Sequence, residues 1–244
     1  MSAINYRGLS IPFTSMGGGS VTSDNLFDPN EQVIFDFYEV NKARYWRALD
    51  VGANIGVHSI LMARQGWEVR AFEPDPVHYA RLLENAAAHD VIVEAENVAV
   101  SDHSGTGVFV RVLDNTTGSH LAGAKDSYGP RERFAVGLVD CRPLFAWADF
   151  AKIDCEGHED VLVCATDAAT WARMDALLEV GTNTNARCIY NHLIDLVPMW
   201  SQKTGWRRVH AIADMPICHQ DGSLFVGESP PFSTASRVSE RSCL

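Results

Sequence analysis

Residues 152–160 read KIDCEGHED, in which the apolar-leaning stretch WADFAKI (147–153) runs into four carboxylates, Asp154, Glu156, Glu159 and Asp160, with His158 among them. A strand that ends on this much negative charge suits four chemistries: a metal site, a proton-transfer site, a grip on a cationic ligand, or a helix start that favours anions. Zinc is disfavoured, because His158 lies four residues from Asp154 across a strand-to-helix turn and the six cysteines contain no C-x-x-C pair. A magnesium site stays open, with Asp154 joined by Glu179, Thr182 or Asn183 at the end of the next expected strand; no metal is predicted. For proton transfer the candidates are Asp154, His158 and His120, with His192 qualifying by type alone. Carboxylates in the first turn of a helix gain ~0.3–1 kcal/mol each. That accounts for Asp160 and Glu159 and leaves Asp154 and Glu156 to a site.

A second constellation is LDVGANIG, residues 49–56, a strand, a glycine turn and a helix start that together hold a ligand at a helix N-terminus. The dinucleotide fingerprint G-x-G-x-x-G is not met, since Asn54 stands at the second glycine and Val57 at the third. Asp50 just before the turn would repel two phosphates but favour an ammonium group. S-adenosylmethionine carries an ammonium, a sulfonium and no phosphate, so the loop fits it better than a nicotinamide dinucleotide. Glu73, 21 residues after Gly52, ends the strand in AFEPDP and is placed to accept both ribose hydroxyls of an adenosine. In NVAVSD, Asn97 and the backbone at Val98–Val100 fall at the adenine edge. The expected cofactor-binding set is therefore Asp50, Gly52, Ala53, Asn54, Gly56, Glu73, Pro74, Asn97, Val98 and Ala99, with Asp154 and Glu156.

These residues need a scaffold that brings strand ends together. RALDVG, EVRAFEP and VIVEAENVAV read as strands, separated by the helical stretches NIGVHSILMARQG and DPVHYARLLENAAAHD. Strands alternating with helices mean a parallel sheet covered on both faces. DPNEQVIFDFYEVNKARY precedes them as a helix capped by Asp28 with Pro29 at its first position. Residues 105–140 break the rhythm with two β segments, a hairpin-like insertion. FAKID then resumes the sheet, HEDVLVCATDAATWARM is helical, ALLEVG is a strand, ARCIYNHLIDLVPMWSQKTG is a helix, and WRRVHAIA and SLFVGE end the sheet. Residues 1–45 are expected to belong to the same domain as 46–228, and 229–244 to form a loose tail.

Composition bounds the partners. The 244 residues are 46% apolar, enough for one sizeable core. The net charge of −11 and the absence of any Lys/Arg run longer than Arg207-Arg208 speak against nucleic acid. Scattered cysteines, no leader-like start and no apolar stretch of about 18 residues point to a cytoplasmic protein with reduced thiols and no membrane span. A homo-oligomer is compatible with all of this.

LDVGANIGVHS, VRAFEPDP, NVAVSD and KIDCEGHEDVL stand in one order at sensible spacings, followed by LLEVGT and TGW. The set resembles the FkbM family of S-adenosylmethionine-dependent methyltransferases over roughly residues 35–228. The resemblance implies a Rossmann-like class I methyltransferase fold, a mostly parallel seven-stranded sheet with helices on both faces and a small β insertion. It also implies methyl transfer to a hydroxyl of a small molecule, a natural product or a sugar. The family's motifs carry over to Asp50, Gly52, Asn54, Gly56 and Glu73, and to Lys152, Asp154, Glu156, Gly157 and Glu159. His120 and Cys155 depart from the pattern where substrate would be read. The alternatives are a cofactor-binding relative without catalysis and a methyltransferase acting on a nitrogen or a macromolecule. No N/D-P-P-Y/F run is present.

Overall fold

In the computed structural model, which describes residues 3–12, 15–18, 21–126 and 128–233, the chain begins with a hairpin of β1 (Ala3–Tyr6) and β2 (Leu9–Pro12). Helix α1 (Pro29–Val40) follows, with the Asp28 carboxylate accepting from the Asn30 and Glu31 amides and Pro29 at its first position, as expected from the sequence. Then come β3 (Arg47–Val51), α2 (Val57–Arg64), β4 (Glu68–Phe72), α3 (Pro76–Ala88) and β5 (Glu94–Glu96). These three strands are parallel neighbours in the main sheet.

The stretch VIVEAENVAV, expected as one strand, is two. β6 (Ala99–Ser101) leaves the main sheet and pairs with a second sheet built from the insertion: β7 (Gly105–Val112), β8 (His120–Leu121) and β9 (Arg131–Asp140), in the order β6-β9-β7-β8. The chain returns through α4 (Cys141–Trp147) to β10 (Phe150–Ile153), which lies on the other side of β3 from β4. α5 (Glu159–Cys164) and α6 (Ala168–Trp171) divide the next helical stretch, with Asp167 capping the second. β11 (Asp175–Glu179) and α7 (Asn183–Leu193) follow. The helix expected to run to residue 205 ends here. Pro198 cannot donate to a helical ladder, and β12 (Met199–Ser201) takes its place. β13 (Arg207–Arg208) and β14 (Ser223–Val226) close the sheet antiparallel.

The main sheet has the order β13-β12-β14-β11-β10-β3-β4-β5, eight strands rather than the seven expected, the extra one being the two-residue β13. Alternation along the central strands feeds two cores. Leu49, Val51, Ala151, Ile153, Ala176 and Leu178 face one way. Ala48, Phe150 and Leu177 face the other, under Phe37 and Tyr38 of α1 and Ile60 of α2. Phe150 sits among aromatic rings, 4.9 Å from Tyr45 and 5.3 Å from Phe37, and a fully buried ring of this kind stabilises by about 1.5–3 kcal/mol. The tail expected to be loose from 229 is tied down at its start: Asn41 donates to the Pro231 carbonyl and Phe232 packs on Phe37 and Trp206. Residues 234–244 lie outside the described residues. Among the described residues no helix is long and apolar enough to cross a membrane.

Chain order runs outward from β3 through β4 to β5, then restarts at β10 on the opposite side. The sheet therefore has its switch point between β3 and β10, the place where open α/β sheets hold their ligands.

Candidate active site

At that point the chain leaves β3 through Gly52, Asn54 and Gly56, all with positive φ (80°, 52° and 88°). Two of these are glycines for steric reasons. A Cβ on Gly52 would stand 1.8 Å from the Asp154 carbonyl oxygen at the end of β10, and one on Gly56 2.9 Å from Leu82 of α3. Asn54 tolerates the left-handed region because its side-chain oxygen accepts from the next amide, Ile55, at 2.8 Å. The Gly52 and Ala53 amides both donate to the Phe72 carbonyl, which locks this turn to the end of β4.

The turn opens onto a cavity of about 490 Å³. Glu73 forms one end of its wall. Its two carboxylate oxygens accept from the Asn54 amide (2.7 Å) and the Asp75 amide (2.8 Å). The side chain is buried, and burial, opposed only in part by those amides, pushes its pKa up to about 8. Pro74 and Ala99 continue the wall. Asn97 does not reach it: the amide donates back to the Glu73 and Pro74 carbonyls and fixes their bend from outside. Val98 is turned toward Gly137.

Lys152, Asp154 and Glu179 line the cavity beyond the glycine turn. Lys152 Nζ donates to Asp154 Oδ2 at 2.8 Å. Burial works against the lysine charge, but Asp154, Asp50 and Glu31 hold it well above the usual range. Burial likewise raises Asp154, and Lys152 and a hydrogen bond with Glu179 more than reverse this, so Asp154 is ionised. The charge on Asp154, together with burial, drives Glu179 well above the carboxylate range, and the proton in their hydrogen bond belongs to Glu179. Glu156, at a positive φ of 56°, is paired with Lys125 from the insertion; the Ala124 carbonyl docks against Gly157.

Glu159 is a clamp on its own loop. It accepts from the Cys155 amide (2.8 Å), the Gly157 amide (3.0 Å) and Asn185 Nδ2 (3.0 Å), and burial pushes its pKa up to about 7. Glu159 and Asp160 stand in the first turn of α5, as expected, and Glu159 holds its loop in addition.

Gly52, Ala53, Asn54, Glu73, Pro74, Ala99, Asp154 and Glu156 of the expected set meet in one cavity wall. Asp50 and Gly56 lie behind it. Asp50 is fully buried, takes a hydrogen bond from Ser59 Oγ and stands directly beside Lys152 in the β3–β10 register. Neither histidine proposed for proton transfer lines the cavity. His158 Nε2 meets Ser101 Oγ at 3.0 Å, and His120 Nδ1 donates to the Gly118 carbonyl at 3.0 Å. The reason is local: His158 precedes α5 on the side facing β6, and His120 is an inward position of the insertion sheet. Asn183, first residue of α7, does not line the cavity either. Among the described residues no three His, Cys, Asp or Glu are grouped to hold a metal ion, and one Asp154 oxygen, Oδ2, takes the Lys152 ammonium instead. Sequence reasoning missed Glu31, His58 and His219, all of which line the cavity; only the register of α1 against α2 brings the first two there.

The methyltransferase FkbM domain matches residues 50–197, more than half of the chain. The chain belongs to the methyltransferase FkbM domain family. The matched segment runs from Asp50 through the glycine turn, Glu73 and the Asp154 loop to the end of α7, and leaves out α1. A curated relative, the 31-O-demethyl-FK506 methyltransferase FkbM of Streptomyces tacrolimicus, is 45% identical over 58 residues, which are 23% of this chain and 22% of that one. The match thus spans about a fifth of the relative's length. Among solved structures, the chain is similar to a 16S rRNA methyltransferase of T. thermophilus in complex with AdoMet and guanosine (14% identity, TM-score 0.47, 93% of this chain and 50% of that one). It is also similar to a TehB-like SAM-dependent methyltransferase of Corynebacterium glutamicum (12% identity, TM-score 0.41, 85% and 94%).

Proposed function

We propose that this FkbM-family domain is an S-adenosylmethionine-dependent methyltransferase that methylates a hydroxyl of a small molecule. The observation that carries the cofactor reading is the pairing of a glycine turn too close to the Asp154 carbonyl for any Cβ with a buried carboxylate, Glu73, held at the cavity wall by two backbone amides. Each Glu73 oxygen keeps a lone pair for a ribose hydroxyl, the bidentate pattern a vicinal diol needs. Pro74 and Ala99 suit the flat face of adenine. S-adenosylmethionine supplies, when bound, an electrophilic methyl group on a sulfonium.

The chain's own residues then have two tasks. Fixed carboxylates at the Lys152–Asp154 end of the cavity favour a cationic centre there, in a site where charges act more strongly than in water. Positioning of the acceptor oxygen in line with the methyl accounts for much of the rate in such a displacement. The acceptor proton must leave as the bond forms, and Asp154, kept ionised by Lys152, is the base that faces the cavity.

The acceptor class rests on the shape of the cavity and on the local likeness to an enzyme named for O-demethyl-FK506. The cavity is covered by the N-terminal segment at Asn25–Glu31, by Thr116–Ser119 of the insertion and by His219–Ser223. Those walls are polar and carry acidic groups, a poor match to a phosphate backbone. The test is calorimetric titration of the protein with S-adenosylmethionine and S-adenosylhomocysteine, followed by a screen for S-adenosylhomocysteine release with small hydroxyl compounds against RNA. Binding lost in Glu73→Ala and turnover only with small hydroxyl compounds is expected. No binding of either ligand refutes the reading.

A further inference from the structure

A further carboxylate that lines the cavity, near Lys152 and Asp154, is on α1, outside the family-matched segment. Glu31 lies in the first turn of that helix, where the Asp28 cap and Pro29 fix the backbone. Its Oε2 is 2.9 Å from His58 Nε2 at the start of α2. The other ring nitrogen, Nδ1, is 2.8 Å from the hydroxyl of Tyr38, itself fully buried two turns further along the same face of α1. Burial drives the Tyr38 phenol well above its usual range, so the hydroxyl keeps its proton while it pairs with Nδ1. A carboxylate only accepts, so Nε2 carries a proton and donates to Glu31. The three residues form a fixed chain that aims one carboxylate at the cavity, while Glu31 Oε1 accepts no hydrogen bond from the described residues.

Other carboxylates near this end are either engaged or, like Asp50 with its unpartnered Oδ1, shut away from the cavity. Asp50 is walled off behind the glycine turn and faces Lys152 across the β3–β10 register. Asp154 is bonded to Lys152 and Glu179, and Glu156 to Lys125. Burial raises Glu31, but the His58 hydrogen bond and the charges of His58 and Lys152 bring it below the usual carboxylate range, so it is anionic. Glu73, the glycine turn, Lys152 and Glu31 line one cavity, so with adenosine at Glu73 the amino-acid end would be held by the residues beyond the turn.

We propose that Glu31, held by His58 and Tyr38, binds the α-ammonium group of the cofactor's amino-acid end, the role that the sequence alone assigns to Asp50. This rests on the adenosine site proposed above. It makes α1 part of the cofactor site and makes Glu31 the residue that distinguishes an amino-acid-bearing ligand from its truncated relatives.

The experiment compares three probes by calorimetry: S-adenosylhomocysteine, its des-amino analogue, and 5′-methylthioadenosine, which keeps the adenosine and thioether but has no amino-acid end. Wild type is expected to bind S-adenosylhomocysteine about tenfold or more tighter than the des-amino analogue. Glu31→Gln should weaken S-adenosylhomocysteine about tenfold and leave the other two within about twofold. Tyr38→Phe should show the same selectivity with a smaller loss. Thermal denaturation establishes that each variant is folded, and Glu31→Asp, one methylene shorter, provides a second variant with the charge retained and its reach reduced. An unchanged affinity for S-adenosylhomocysteine in Glu31→Gln overturns the proposal, as does an equal loss for 5′-methylthioadenosine, which would mark a structural role. Wild type that binds none of the three overturns the adenosine site itself, a result distinct from tight binding of all three alike.

Discussion

The cofactor's affinity should rise with pH, because Glu73 holds a proton in the free protein. Burial pushes its pKa up to about 8, so at pH 7 about nine-tenths of free molecules carry that proton. In the complex the same carboxylate accepts two amide hydrogens and two ribose hydroxyls, a donor set that favours the ionised form. Binding must then expel the proton. Linkage gives an affinity proportional to the ionised fraction, and between pH 6 and pH 8 that fraction rises from about 1% to about half. The expected gain is about 50-fold, and still about tenfold with a pKa one unit lower. Titrations with S-adenosylhomocysteine at pH 6, 7 and 8, each in two buffers of different ionisation enthalpy, read both the affinity and the proton count. Close to one proton should be released at pH 7, and Glu73→Gln should abolish both the release and the pH dependence. An affinity flat across this range, with identical heats in the two buffers, would refute the argument that this carboxyl is protonated until the ribose arrives.

Other outcomes follow from the same geometry. Gly52→Ala should abolish cofactor binding, since its Cβ falls 1.8 Å from a backbone oxygen and the left-handed residue adds about 1 kcal/mol or more of strain, which calorimetry and a thermal melt will read separately. Glu159→Ala leaves the Cys155 and Gly157 amides without their acceptor at a cost of about 1–3 kcal/mol each, so denaturant midpoints should fall accordingly. Asp175→Asn breaks the buried pair with Arg44, 2.6 Å apart and shared with the Tyr45 hydroxyl, and urea unfolding should show a loss of about 3–5 kcal/mol. A folded-state pKa raised above the unfolded value contributes stability below about pH 4.5 that is lost as pH climbs to about 7 for Glu159 and about 8 for Glu73. The wild-type melting temperature should therefore fall between pH 5 and pH 8, and Glu73→Gln should flatten that fall. His158→Gln should leave cofactor affinity within about twofold, because the ring faces Ser101 and not the cavity.

The parts of this architecture written in local pattern were legible in the sequence. Asp28-Pro29 starts a helix wherever it occurs before an amphipathic run, and it does so here. The glycine turn and the Glu73 strand end were found because their chemistry is backbone chemistry, which short spacing determines. What was not legible depended on partners distant in the chain. VIVEAENVAV is one apolar run, and nothing within it says that residues 99–101 leave the main sheet to join β9 forty residues on. His158 and His120 have the right type for proton transfer, yet a histidine's role is set by the surface it faces, which here is Ser101 in one case and the Gly118 carbonyl in the other.

Asp50 makes the same point most sharply, because its partner in the structure is one that no local pattern names. A carboxylate one residue before the glycine turn calls for a cation, and the sequence offered a ligand's ammonium. The register of β3 against β10 supplies another: Lys152 lies directly opposite, both side chains on one face of the sheet. A buried lysine needs more than one anion to stay charged, and Asp50 behind the wall and Asp154 in front of it serve that need together. Lys152 in turn keeps Asp154 ionised toward the cavity. Asp50 therefore acts on the site at one remove, and substituting it should lower the charge on Asp154's neighbour rather than remove a ligand contact. Asp50→Asn is then expected to weaken S-adenosylhomocysteine and 5′-methylthioadenosine by similar factors, where Glu31→Gln separates them; a selective loss in Asp50→Asn would return the ammonium to the residue that precedes the turn.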